Sequence, residues 1–413
     1  MFKKIEEPTI RNFTDAKFKT SRISMHFIMP LNAKTASAFA LIPSVLTQST
    51  SSHPNITDLS KHLSSLYGAN FSCSVSKIGD NQVLSFLASG ISNKYALGGQ
   101  NLTKEYLSLI EECIFKPLTD KDGYFTKEAF TQERRQLLEH MDADFNDKKV
   151  YAKLRTSEIM FEGQPSAVRK YGDKETLMKV KREELIPLWN EIVDTAKVEI
   201  FVLGDCDYDI ISNSFKDMFK NRKGNAKLFE NPVYDVTNIK TVEEKMELSQ
   251  SKLVLGFKTG EKPTIATRLM SVILGGTASS KLFLNVREKL SLCYYCSSSL
   301  NTENAAIFVE SGVETENIEK TKDAILNEIE DLKNGIFTDD DLHFAKLAMI
   351  NSYKSIKDSL YSTETWYLSQ VLRDEILTPK EMEEKLLKVT KEDIINSAKK
   401  MNLDTVYMLK GEM

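Results

Sequence analysis

A chain of 413 residues that is 41% apolar, 28% charged and 9% aromatic has the composition of an ordinary soluble globular protein, with length for two or more domains. Its 55 lysines and arginines against 59 aspartates and glutamates give a net charge of −4, without the clustered basic excess of a nucleic-acid-binding surface. The opening MFKKIEEPTIRNFTD has no apolar signal core, and the most apolar windows, FALIPSVL and ISMHFIMPL, are far short of a bilayer span. The expected location is therefore the cytoplasm, with no membrane partner.

In chain order, RISMHFIMPL and FSCSVSKIGDNQVLSFLAS carry the β-branched and aromatic alternation of strands. ITDLSKHLSSLYG predicts a helix starting at Thr57 or Asp58, with Leu59, Leu63 and Leu66 on its apolar face and Gly68 ending it. Helical periodicity returns from Leu102 to Ile114 and from Thr126 to Phe145. VEIFVLGD, residues 198–205, predicts a buried strand closed by a glycine turn. Residues 221–244 hold Gly224, Pro232 and few apolar side chains, and predict a linker between a first lobe, 1–220, and a second lobe, 245–413.

The lobes echo each other. VKREELIPLWNEIVDTAKVEIFVLGD (180–205) and VTKEDIINSAKKMNLDTVYMLKGE (389–412) share one pattern: valine, a basic and two acidic residues, a helix, an apolar strand, then glycine and an acid. Long charged helical stretches precede both, Thr126–Met160 and Asp339–Val371. The expected fold class is α+β, two homologous lobes that each cover a mostly antiparallel sheet with helices.

First-line catalytic chemistry is sparse. The chain contains no phosphate-binding loop, no nucleophile elbow, and no H-x-x-x-H or H-x-x-E-H among its five histidines. Gln136–His140 has the inverted zinc spacing but puts an amide where the first imidazole would be. Its bland reading is an exposed helix face, and His53 and His62 read as solvated groups near a helix start. Cys293 and Cys296 form a C-x-x-C around two tyrosines. In a plain strand their thiols point to opposite faces, so they read as ordinary strand residues, and all five cysteines as reduced thiols.

The stretch SSKLFLNVREKLSLCYY is similar to SSRLFQEVREKRGLAYS, which typifies the pitrilysin/insulinase family of zinc peptidases. The match falls on Ser279, Ser280, Leu282, Phe283, Val286, Arg287, Glu288, Lys289, Leu292 and Tyr294. LYGANFSCSVSKIGDNQVLSF and the 171–205 segment resemble two further family patterns, so the likeness covers nearly the whole chain. It resembles the bacterial two-lobe branch related to mitochondrial processing peptidase, whose fold is one half of a clamshell.

The resemblance also implies a departure. Active members carry H-x-x-E-H on the first-lobe helix, where this chain reads FALIPSVLTQST. Leu41 and Val45 then stand at the histidine positions and Ser44 at the catalytic glutamate. Counting seven residues from Glu133, as the family spaces its third ligand, gives His140. These degenerate positions imply no catalytic residue, no metal and no cofactor in this chain, with zinc only in a partner. Arg287 and Tyr294 match the family's substrate-holding arginine and tyrosine. Arginine offers a planar fork of donors to a peptide carbonyl, and tyrosine a hydroxyl that can polarise it. The alternative for this pair is a helix C-cap and a packed strand residue. The expectation is a non-catalytic subunit of a heterodimeric zinc metallopeptidase, partnered by a homologue bearing H-x-x-E-H and by a peptide substrate. A peptide-binding scaffold without proteolysis is the alternative.

Overall fold

The computed structural model describes residues 2–5, 8–224 and 226–412. They fall into two compact units. The first comprises Met1–Asp142, Val168–Glu230 and Leu360–Arg373; the second comprises Ala143–Ala167, Asn231–Ser359 and Asp374–Met413.

The first unit contains β1 (Phe2–Ile5), β2 (Thr9–Thr14), β3 (Thr20–Pro30), β4 (Asn70–Ile78), β5 (Asn81–Ile91), β6 (Lys197–Gly204) and β7 (Ala226–Phe229). β1 and β7 pair separately, and the other five form a mixed sheet of order β2-β6-β3-β5-β4, parallel only between β2 and β6. β6 is buried along its whole length, so its apolar run faces covered surfaces on both sides. On one face the helices Ala36–Leu46, Leu102–Ile110 and Arg182–Thr195 supply the main core, built around Trp189. The Trp189 ring lies 5.0 Å from Phe27 and 5.5 Å from Phe86, and its indole N–H donates to the Ile114 carbonyl at 2.8 Å. A fully buried aromatic that also satisfies its polar handle is worth several kcal/mol against truncation to alanine, about 3–5.

The second unit contains β8 (Lys240–Glu247), β9 (Ser251–Lys258), β10 (Cys293–Asn301), β11 (Ala306–Val313) and β12 (Asn402–Glu412), in the order β10-β11-β9-β12-β8, parallel only between β12 and β8. Reversed, this is the order of the first sheet, each strand replaced by its counterpart in the other half. Gly204 and Gly411, which close β6 and β12, both press on a backbone carbonyl. A Cβ would lie 2.2 Å from Thr20 O in one case and 2.4 Å from Leu248 O in the other.

The duplication also holds for the helices, with one exchange. The charged stretches predicted as continuous are each broken. Asp147 ends Lys127–Asn146 and caps Lys148–Met160 by accepting from the Lys149 and Val150 amides at 3.0 and 3.1 Å. Asp339–Ser355 is likewise followed by a separate helix, Leu360–Leu368. In each half the helix after the break belongs to the unit built mainly by the other half. Lys148–Met160 packs on the second sheet through Tyr151, Ala152 and Met160, facing Val254, Phe308 and Tyr407. Gly256 lets it approach, since a Cβ there would lie 3.2 Å from Met160 Sδ. Leu360–Leu368 covers the first sheet, with Tyr367 stacked on Phe13 at 4.3 Å.

Charge pairs tie each exchanged helix down, buried in the first unit and partly exposed in the second. Glu364 meets the Arg22 guanidinium and lies 3.1 Å from His26 Nε2, both on β3. Arg155 reaches Glu244 on β8 at 2.8 Å, and Lys153 reaches Glu310 on β11 at 2.7 Å.

The 221–244 stretch expected to be a linker holds two strands, β7 and the beginning of β8. β8 is a sheet edge, and its sequence KTVEEKME alternates half-buried and exposed residues, so it is polar without being irregular. The helix expected to begin at Thr57 or Asp58 is capped earlier, by Asn55, whose side chain accepts from the Asp58 amide at 3.0 Å. No helix among the described residues is long and apolar enough to cross a membrane.

Candidate functional site

The residues singled out by sequence lie in two groups, one in each unit. In the first unit, Leu41, Ser44 and Val45 lie on the helix Ala36–Leu46, which runs through Pro43. Leu41 and Val45 are fully buried in the core, so their side chains serve packing. Ser44 is half-buried beside Cys73 of β4, whose thiol is raised by burial despite hydroxyls from Thr47 and Ser44 close by. Thr47 Oγ1 lies 3.4 Å from the Cys73 sulfur.

The charged member of this group is Glu133 on Lys127–Asn146, whose charge also acts on Cys73. Glu133 is 4% exposed, and burial pushes its carboxyl up to about 7. Gln136 donates to Glu133 Oε1 at 3.2 Å. His140 does not join them. It is exposed, with its ring 6.5 Å from that of Tyr171. Two apolar side chains, one hydroxyl and one buried acid do not make a zinc-binding set, and no three His, Cys, Asp or Glu side chains among the described residues converge as metal ligands.

In the second unit, Arg287 and Tyr294 flank a tight connection. The segment Leu282–Lys289 winds as a π-helix, closed by the Leu290 amide donating to the Asn285 carbonyl at 3.0 Å. Its start is held by Lys281, buried, with Nζ 3.0 Å from Glu328 and 3.2 Å from the Ile336 carbonyl. Asn285 donates to the same Glu328 at 2.9 Å. Ser291 then takes a left-handed conformation (φ +50°), and the Leu292 amide returns to Val286 O at 3.2 Å. That reversal starts β10 directly beneath the helix end.

The start of β10 is irregular. Cys293 pairs with Val313 of β11, but Tyr295 pairs with Gly312, so Tyr294 is an extra residue bulged out of the ladder. The bulge throws Tyr294 into solvent, 58% exposed, where its hydroxyl donates to Glu314. That hydrogen bond, with the glutamate's charge, raises the phenol above its ordinary value. Arg287 stays half-exposed, its guanidinium over the Phe283 ring at 4.5 Å and 3.5 Å from Glu288. Tyr294 is therefore not a packed strand residue, while Arg287 lies in the last turn of its helix, where a cation suits the helix dipole.

The bulge overturns one expectation. Without it, Cys293 and Cys296 would point to opposite faces. With one residue looped out, Cys293 and Cys296 oppose Val313 and Ser311, two apart on β11 and therefore on one face. A second constellation, Ser85–His26–Glu364, has the composition of a hydrolytic relay, with Ser85 Oγ 2.8 Å from His26 Nδ1. His26 is 2% exposed, and Ser85 is central in β5, paired with both His26 and Ser74, so its surrounding amides belong to the sheet ladders. The group clamps a helix.

Comparison with known proteins finds relatives along nearly the whole chain. Residues 179–349 match the family model described as the Peptidase M16 inactive domain. The chain is 29% identical over 400 residues to the probable inactive metalloprotease YmfF of Bacillus subtilis (strain 168), covering 96% of this chain and 94% of the relative. The crystal structure of a conserved protein from Enterococcus faecalis V583 superposes with a TM-score of 0.89 at 28% identity, covering 98% of this chain and 96% of that one. A Peptidase M16 inactive domain from Pseudomonas fluorescens shares the fold, with a TM-score of 0.78 at 15% identity over 100% of this chain and 98% of its own. Across residues 179–349 the chain thus matches the Peptidase M16 inactive domain, and over nearly its whole length it is similar to a probable inactive metalloprotease and shares the fold of an M16 inactive domain.

Proposed function

We propose that this chain is the non-catalytic subunit of a heterodimeric zinc metallopeptidase, in which a homologous partner carries H-x-x-E-H and this chain supplies Arg287 and Tyr294 to the peptide. One contrast carries the proposal. Where the resemblance puts zinc ligands, the helix is filled with buried apolar side chains. Where it puts substrate contacts, a bulge exposes the tyrosine and a π-helical turn leaves the arginine half-exposed. Each meets an exposed carboxylate, Glu288 for Arg287 and Glu314 for Tyr294, which a peptide carbonyl can replace at little cost. Arg287 then donates to the peptide backbone and Tyr294 orients it.

The test is hydrolysis of a peptide library by the H-x-x-E-H homologue from the same genome, with and without this chain. Cleavage dependent on both chains is expected. Arg287→Ala lowers kcat/KM of the pair roughly tenfold to a hundredfold, the worth of one or two charge-assisted hydrogen bonds, while the complex still forms. Full activity of the Arg287→Ala pair, or of the partner alone, defeats the proposal.

A second reading has its own support. β10 is the edge of its sheet, and its free side can take up an extended peptide by strand addition without any cleavage. Peptide binding with no hydrolysis in any combination favours that scaffold role.

A further inference from the structure

The C-x-x-C of β10 has no part in the proposed peptide contact. Its two sulfurs share a face only because Tyr294 is bulged out. Positions two apart on one strand are separated by roughly 6.6 Å, two rises of about 3.3 Å. That lies at the upper end of the ~4.4–6.8 Å between Cα atoms that a disulfide spans. The two thiols act on each other's ionisation.

Their surroundings differ. Cys293 is half-buried, at the strand end nearest the helix Leu282–Lys289, and Cys296 is 4% exposed. Ser311, opposite Cys296, is fully buried; its hydroxyl lies against both sulfurs and has no regular hydrogen-bond partner among the described residues. The hydrogen bond from Cys296 holds Cys293 down to about 7 against its burial, helped by Ser311 and the Arg287 charge. Its partner, Cys296, is held well above the ordinary value by that same bond and by burial. One accessible sulfur is thus prone to be thiolate, beside a second, shielded thiol in reach. That is the arrangement of an attacking and a resolving cysteine.

We propose that Cys293 and Cys296 are a reversible thiol–disulfide site whose oxidant is a peroxide. The Cys293 thiolate attacks one peroxide oxygen. The O–O bond breaks, a sulfenic acid forms, and the departing hydroxide takes a proton to become water. Cys296, losing its proton, attacks the Cys293 sulfur. The S–O bond breaks, the hydroxyl leaves with that proton as a second water, and the S–S bond forms. Two thiols give up two electrons and two protons, and one peroxide becomes two waters. The bond closes across the residue loop that projects Tyr294, so it fixes the bulge.

The experiment uses the full-length chain and hydrogen peroxide, followed by denaturing alkylation and peptide mapping. Wild type is expected to lose Cys293 and Cys296 together as one peptide lighter by two hydrogens, restored by a dithiol reductant. Cys73, Cys113 and Cys206 stay alkylatable. Cys296→Ser is expected to stop at a sulfenic acid on Cys293 that dimedone traps, and Cys293→Ser to leave Cys296 unreactive. In the untreated native protein, Cys293 should alkylate about tenfold or more faster at pH 7 than Cys206, whose thiol is raised to about 12, chiefly by burial. Peroxide that leaves both cysteines free, or that oxidises Cys293 in wild type without consuming Cys296, overturns the proposal. Neither result depends on whether Arg287 and Tyr294 bind peptide.

Discussion

Replacing Glu364 by glutamine removes the charge that ties the helix Leu360–Leu368 to β3. In the native chain the carboxylate is almost entirely buried, against the Arg22 guanidinium and 3.1 Å from His26 Nε2. Burial alone would raise this acid; His26 and Arg22 outweigh it and hold it at about 2. Against an ordinary glutamate near 4.3 the depression is roughly two units, or about 3 kcal/mol at neutral pH. Truncating one member of a buried pair costs a similar 3–5 kcal/mol, because Arg22 is left buried and uncompensated. The folded carboxyl binds its proton less readily than the unfolded one. This stability is therefore complete above about pH 4.5 and drains away as the pH falls towards 2. Urea unfolding followed by fluorescence at several pH values measures both effects. Glu364→Gln should unfold at clearly lower urea at pH 7 and lose less than wild type between pH 4.5 and pH 3. A variant within about 1 kcal/mol of wild type at pH 7, with the same acid sensitivity, refutes the clamp.

Glu133 should behave in the opposite sense. Its carboxyl is raised to about 7 by burial, so the folded state holds a proton that the unfolded state releases, and stability falls as pH rises from about 4.5 to 7. Glu133→Gln should stabilise the chain at pH 8 by about 1–3 kcal/mol and flatten that slope in thermal melts. Gly204 and Gly163 both have positive φ, +85° and +80°, but only Gly204 has a carbonyl where a Cβ would go. Gly204→Ala should cost about 2–4 kcal/mol and Gly163→Ala about 1, separated by denaturant midpoints.

Much of this architecture was legible because it is periodic. The alternation of RISMHFIMPL and the uninterrupted apolar run of VEIFVLGD set two central strands, and the repeated endings at 180–205 and 389–412 set the duplication. What escaped was either edge structure or a shift of one residue. β8 read as linker because an edge strand needs no apolar face. The extra residue at Tyr294 flips every later side chain of β10, and only the partner strand reveals it. Counting seven residues from Glu133 reaches His140, which stands two helical turns, about 10 Å, beyond the acid that sits near Ser44 and Cys73. The break at Asp147 had a visible cap signal inside a long charged run. The destination of the next helix had none, since its apolar residues fit either sheet.

That destination gives the chain a particular character. Each half hands the same helix to the sheet of the other, in the manner of a domain-swapped dimer whose two copies have been joined end to end. A single half would close its own sheet only by keeping that helix or by pairing with a twin. In the fused chain the twin is always present, at an effective concentration set by the connection between the halves, and neither half is a complete folding unit without it.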